Sequence, residues 1–84
     1  MAEDEKIGEV IHYFDKIGVA IIKLDKPLKK GESVEIRNKK GEAQNLSVDS
    51  MQIDHQDIDE AKAGDEVGVK ILGPVREGNE VFRG

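Results

Sequence analysis

The sequence predicts an all-β fold, a small closed antiparallel β-barrel of about six strands. Three observations lead there. Apolar residues fall in short runs separated by glycine-bearing polar clusters. Period-two alternation marks Ser33–Arg37 and Asp65–Leu72 as half-buried strands. A chain of 84 residues is one domain, and so few short strands are better covered by closing on themselves than as an open sheet.

The residues 1–6 read as a polar tail and 7–84 as the barrel domain. The first strand is Ile7–Phe14, broken at Asp15-Lys16, and the second is Gly18–Leu24, apolar on both faces near its middle. Asp25–Glu32 turns the chain, with Pro27 fixing φ and Gly31 free to take positive φ. Ser33–Arg37 is the third strand and Asn38–Gly41 a hairpin turn. In the fourth run Leu46 and Val48 share one phase, Met51 and Ile53 the other, which predicts a β-bulge near Asp49-Ser50. Asp57–Gly64 reads as a two-turn helix, with Asp57 as cap, Glu60 at the capping-box position and Gly64 at its end. The fifth strand is Asp65–Leu72, where Gly68 between two valines marks a close approach or a bend. Val81-Phe82 closes the sequence as a short last strand. The period-two spacing points Val34, Ile36, Leu46, Val48, Val67, Val69 and Ile71 inward.

Composition narrows the chemistry. With no cysteine there is no disulfide framework, thiolate zinc site or thiol nucleophile. No apolar run approaches the ~20 residues that span a bilayer. The polar, acidic start does not resemble a secretion signal, so a cytoplasmic location and no membrane partner are expected. No phosphate-cradling Gly-x-x-x-x-Gly-Lys-Ser/Thr occurs. Asn38-Lys39-Lys40-Gly41 is similar to a guanine-reading Asn-Lys-x-Asp, but Gly41 stands where the carboxylate is needed. Asp54-His55-Gln56-Asp57 holds three potential metal ligands, and reads instead as a solvated acidic loop. Asp57, Asp59, Glu60, Asp65 and Glu66 lack an accompanying nucleophile. No enzyme activity, cofactor, metal or nucleotide is expected.

Charge is uneven. Overall the chain carries −5, which counts against a generic nucleic-acid binder. Yet Lys23–Lys40 holds seven basic residues against three acidic, a local +4, and Glu42–Glu66 eight acidic against one lysine, a local −7. Such a bipolar surface can steer one side toward phosphates. Lys26, Lys29, Lys30, Lys39 and Lys40, on the turns at the two ends of the third strand, are the candidate nucleic-acid-binding residues. The competing reading is that these lysines only keep the barrel soluble and its edges unpaired.

Lys30-Gly31-Glu32-Ser33-Val34-Glu35-Ile36, Ser50-Met51-Gln52 and Ala61-Lys62-Ala63-Gly64-Asp65-Glu66-Val67-Gly68-Val69 resemble domain 2 of elongation factor Tu and related translational GTPases. The ending Leu72–Gly84 resembles that domain's last strands. A closer resemblance, carried by His12-Tyr13-Phe14, Gly18-Val19-Ala20, Ser50-Met51-Gln52-Ile53 and Val75-Arg76-Glu77-Gly78, is to the C-terminal barrel of collagenase-like peptidases, a family tied to RNA hydroxylation. Both imply a β-barrel, here without a catalytic domain. The elongation-factor pocket for the aminoacyl end of tRNA does not carry over, since its positions hold Val10, His12, Ile17, Val19 and Ile22.

The expectation is a non-enzymatic β-barrel module that docks on RNA or a ribosome-associated, translation-related partner. The alternative is a protein-interaction adaptor with no nucleic-acid contact. Because both nucleotide motifs fail, titration of GTP with magnesium should give no binding; a micromolar dissociation constant would overturn that expectation.

Overall fold

Alternating apolar side chains can be buried on one face only if the backbone between them is paired, and nearly every predicted run is paired in this way. The computed structural model describes residues 5–54, 56–71 and 75–83. They form β1 (Glu5–Phe14), β2 (Val19–Leu24), β3 (Leu28–Lys29), β4 (Ser33–Arg37), β5 (Ala43–Ser47), β6 (Met51–Ile53), β7 (Gln56–Ile58), β8 (Glu60–Ala61), β9 (Glu66–Lys70) and β10 (Glu80–Arg83). Every pairing is antiparallel, and among the described residues there is no helix. Eight strands follow the order β5-β4-β10-β1-β2-β9-β6-β7, and β3 pairs with β8 in a separate ribbon. β5 and β7 are thus the two ends of the main ladder, which does not close on itself. Lys30 N–H donates to Asp59 C=O (2.8 Å), extending the β3–β8 pairing, and Gly31 N–H to Val48 C=O (2.8 Å), extending the β4–β5 ladder, so the ribbon adjoins the main sheet without bridging its two ends.

Three sequence expectations are corrected. Asp57–Gly64 is not a helix but the end of β7, then β8 and a turn. Ala61 is fully buried opposite Leu28 in the ribbon, and this long-range pairing prevails over the local capping pattern. The fourth run is not one bulged strand. Val48 and Met51 are both buried, and the chain breaks between them because β5 pairs with β4 while β6 pairs with β7 and β9. Breaks of this kind turn about six runs into ten strands. β1 also opens at Glu5, so Glu5 and Lys6 are strand residues opposite Arg83 and Phe82 rather than tail.

The bulges fall on β1 instead. Its register shifts against β10 between Lys6 and Gly8, and against β2 between Val10 and His12. The first shift lets neighbours Ile7 and Gly8 both face inward; the second leaves neighbours Ile11 and His12 both outside. Ile7, Val10, Ile22, Leu24, Val67 and Val81 are fully buried around this strand. Of the residues expected inside, Val34, Ile36, Val48, Val67, Val69 and Ile71 are buried, and Leu46 packs half-buried against them. Gly68 lies between Ile21 and Gln52 with ordinary spacing, but a Cβ on Gly8 would stand 2.7 Å from Lys23 O and 2.9 Å from Ile22 Cγ2. Gly8 is the position where backbones approach.

At one rim Arg83 joins three segments. Its guanidinium donates from Nε to Glu5 (3.1 Å), from Nη1 to Glu32 and from Nη2 to the Pro27 carbonyl (3.0 Å). Lys26 Nζ reaches the other Glu5 oxygen at 3.0 Å. Hydrogen bonding from Lys26, then from Arg83, holds the Glu5 carboxyl below its ordinary range. A carboxylate depressed in the folded state stabilises above its unfolded pKa, and that contribution disappears as pH falls through the folded value.

Two expectations follow for stability. Gly8→Ala should cost about 1–3 kcal/mol, the scale of overpacking a close contact, read as a lower denaturant midpoint with unchanged slope. Glu5→Gln should lower the thermal midpoint near neutral pH, and the gap to the parent should shrink as pH drops below 4.5; a gap independent of pH would show that the ion pairs are idle.

Candidate docking surfaces

The hairpin Asn38–Glu42 forms because Asn38 can organise its own turn. Its side-chain oxygen accepts from the N–H groups of Lys40 (2.9 Å) and Glu42 (3.0 Å), its Nδ2 donates to Glu42 Oε1 (2.9 Å), and Gly41 supplies φ +87°. Lys39 and Lys40 are thereby held exposed at one end of β4. Lys26, Lys29 and Lys30 are exposed at the other end, around β3. The structure therefore places the five candidate lysines in two groups on opposite ends of β4. Lys26 is committed to Glu5; the other four make no ion pair among the described residues.

Two cavities meet the Asn38–Glu42 hairpin. One, of about 210 Å³, lies among Ile36, Asn38, Ala43, Gln44, Val75 and Asn79. The other, of about 500 Å³, brings Arg76 and Glu77 beside Lys39 and Lys40. Asn79 borders both and is only 7% exposed. Its backbone is used, donating to Arg76 C=O (3.1 Å) and accepting from Val10 N–H (2.8 Å), while its side-chain amide makes no hydrogen bond among the described residues. Sequence reading missed Asn79, because nothing local marks a loop residue as buried, and Arg76, an exposed residue that only the fold brings beside Lys39 and Lys40.

The tip of the β1–β2 hairpin is the apolar part of the surface. Ile11, Phe14 and Ile17 are 37%, 44% and 63% exposed. Gly18, at φ +68°, sends its N–H back to Phe14 C=O (2.9 Å) and so turns Ile17 outward. His12 stacks edge-on against Phe14 at 4.4 Å between centroids, and its Nδ1 lies 3.0 Å from Glu77. An isoleucine in a four-residue turn, Asp15-Lys16-Ile17-Gly18, was the available sequence signal.

Among the described residues no three carboxylate or imidazole side chains gather as a metal site. His55 of the Asp54–Asp57 loop, like Met1–Asp4, Leu72–Pro74 and Gly84, lies outside the described residues. No helix is long and apolar enough to cross a membrane.

No protein-family profile matches the chain. Over 77 residues, 92% of its length, it is 42% identical to an uncharacterized protease of Methanocaldococcus jannaschii, and it spans 19% of that protein. Its fold superposes on the C-terminal domain of a Geobacillus thermoleovorans protein provisionally named a U32 peptidase, in the selenomethionine form, with a TM-score of 0.88 and 21% identity, covering 94% of this chain and 99% of the other. A second crystal structure of that C-terminal domain gives 0.88 at 20% identity, covering 95% and 92%. The nearer of the two sequence resemblances, to the collagenase-like peptidases, is the one these matches support. The chain has the fold of the C-terminal domain of a U32 peptidase.

Proposed function

We propose that the chain is a non-enzymatic β-barrel module that docks on protein through the β1–β2 tip, its partner being the remainder of a U32-type peptidase. The carrying observation is the concentration of Ile11, Phe14 and Ile17 on one hairpin. Fully covering a large apolar side chain contributes about 1.5–3 kcal/mol, and the flanking His12–Glu77 pair supplies the polar rim that interfaces of this kind carry. The likeness to one fifth of a longer protease supports a module that works beside a larger body.

RNA docking is the second reading, favoured by Lys39, Lys40 and Arg76 around one cavity. The separation of the lysines into two groups, and the absence of exposed aromatics beside them for base stacking, place it second.

Titrating the chain into the Methanocaldococcus jannaschii relative lacking its matching segment, with the fold of both checked by circular dichroism, should give a complex. Phe14→Ser with Ile17→Ser should weaken it by about tenfold or more, and raised salt should weaken it little. If no complex forms, or the double variant binds equally well, the docking reading fails. If single-stranded RNA binds instead with a log–log salt slope near −0.7 per phosphate, and changing Lys29, Lys30, Lys39 and Lys40 to glutamate removes it, the RNA reading takes its place.

A further inference from the structure

The open edge of β5 is separate from the hairpin tip and has its own chemistry. Asn38 N–H donates to Glu42 C=O (3.0 Å) and Val48 N–H to Glu32 C=O (2.9 Å), one at each end of the β4–β5 ladder. Between them the register pairs Ile36 with Gln44 and Val34 with Leu46. Antiparallel partners alternate between bonded and non-bonded. Gln44 and Leu46 therefore spend their backbone groups on β4, and the N–H and C=O groups of Ala43, Asn45 and Ser47 point to the outer side.

Exposed edges are usually kept short, charged or interrupted by proline. β7, at the opposite end of the ladder, is three residues long and carries Asp57. β5 has five residues, Ala43–Ser47, with neither charge nor proline, in a chain whose charged share is 37%. It is the unguarded end.

A groove of about 440 Å³ runs beside it, bordered by Gln44, Asn45, Leu46 and Ser47 and, across from them, by Ser50 and Lys70. Consecutive strand residues send side chains to opposite faces, so all four can border one groove only along the strand's edge. At Gln44 the groove meets the smaller cavity that Asn79 borders. Lys70 borders the groove itself, and Lys39, Lys40 and Arg76 line the neighbouring cavity at the Asn38–Glu42 hairpin. Three carboxylates stand among these four cations: Asp49 in the groove, and Glu42 and Glu77 beside Lys39, Lys40 and Arg76, Glu42 accepting from Asn38 and Glu77 lying against His12.

We propose that β5 takes up an extended peptide as an added strand, a peptide in which acidic residues flank a short uncharged stretch. Its backbone pairs with Ala43, Asn45 and Ser47, its acidic residues meet Lys70 across the groove and Lys39 and Lys40 at the hairpin, and the Asn79 amide offers a further donor and acceptor.

The probe is the blocked peptide Glu-Glu-Thr-Val-Thr-Val-Glu-Glu, followed by amide exchange and chemical shift. The expected result is new protection of the Ala43, Asn45 and Ser47 amides. Asn45→Pro removes an outward N–H without touching the β4 ladder, and should weaken binding about tenfold, the scale of one lost backbone hydrogen bond. Ser47→Glu, which adds a guarding charge, and a peptide N-methylated at alternate nitrogens should fail likewise; these two stand even if the proline variant unfolds. A lysine-flanked peptide should bind more weakly. The proposal is overturned if the acidic peptide gives no protection at millimolar concentration, or if the N-methylated or lysine-flanked peptide binds as well. Protection of the same amides without peptide, rising with protein concentration, would overturn it in favour of a second copy of the chain.

Discussion

The close approach of β1 to β2 at Gly8 is the contact on which the sheet depends. β1 pairs on one side with β10 and on the other with β2, so it joins the half built from β5, β4 and β10 to the half built from β2, β9, β6 and β7. Gly8 has partners on both sides, Val81 and Leu24, and no room for a Cβ. With the strand bulged on either side of this point, Ile7 and Val10 can both reach the interior although they are three residues apart. The core around Ile22, Val67 and Val81 is organised by where that strand can lie.

This arrangement joins the start of the chain to its end. β10 sits between β4 and β1, so the last strand in sequence is an inner strand of the sheet. Arg83 gathers Glu5, Glu32 and the Pro27 carbonyl, tying β10 to the first strand and to both sides of the β3 segment. Pairings of such wide sequence separation carry a large loop-closure entropy before they gain any burial. In a chain without cysteines, hydrogen-bonded ladders and a rim of ion pairs take the part that cross-links play in other small domains.

What the sequence made legible was local. Val34 and Ile36 alternate with Glu35 and Arg37, and Asn38–Gly41 has the residues its turn requires, so that hairpin could be read directly. Val67, Val69 and Ile71 were equally plain. The Asp57–Gly64 segment misled because capping chemistry is a short-range signal, whereas Ala61 answers to Leu28 across more than thirty residues. The division of the 43–53 run depended on which strand each half would meet, and that is a property of the assembled sheet. The same applies to the surfaces. Lysines are recognisable as exposed from their chemistry alone, but an apolar Ile17 reads as interior until the turn is seen to push it out. The outward backbone groups of β5 have no sequence mark beyond the missing charges.

Glu5 and Arg83 are cross-strand partners, held together by an ion pair as well as by the ladder. The two ends of the described chain therefore lie side by side at one spot on the rim. A unit with that geometry can be spliced into the middle of a host's surface loop as readily as hung from the host's end, because the host's own backbone need not be stretched to accommodate it. The β1–β2 tip lies at the far end of β1 from this spot.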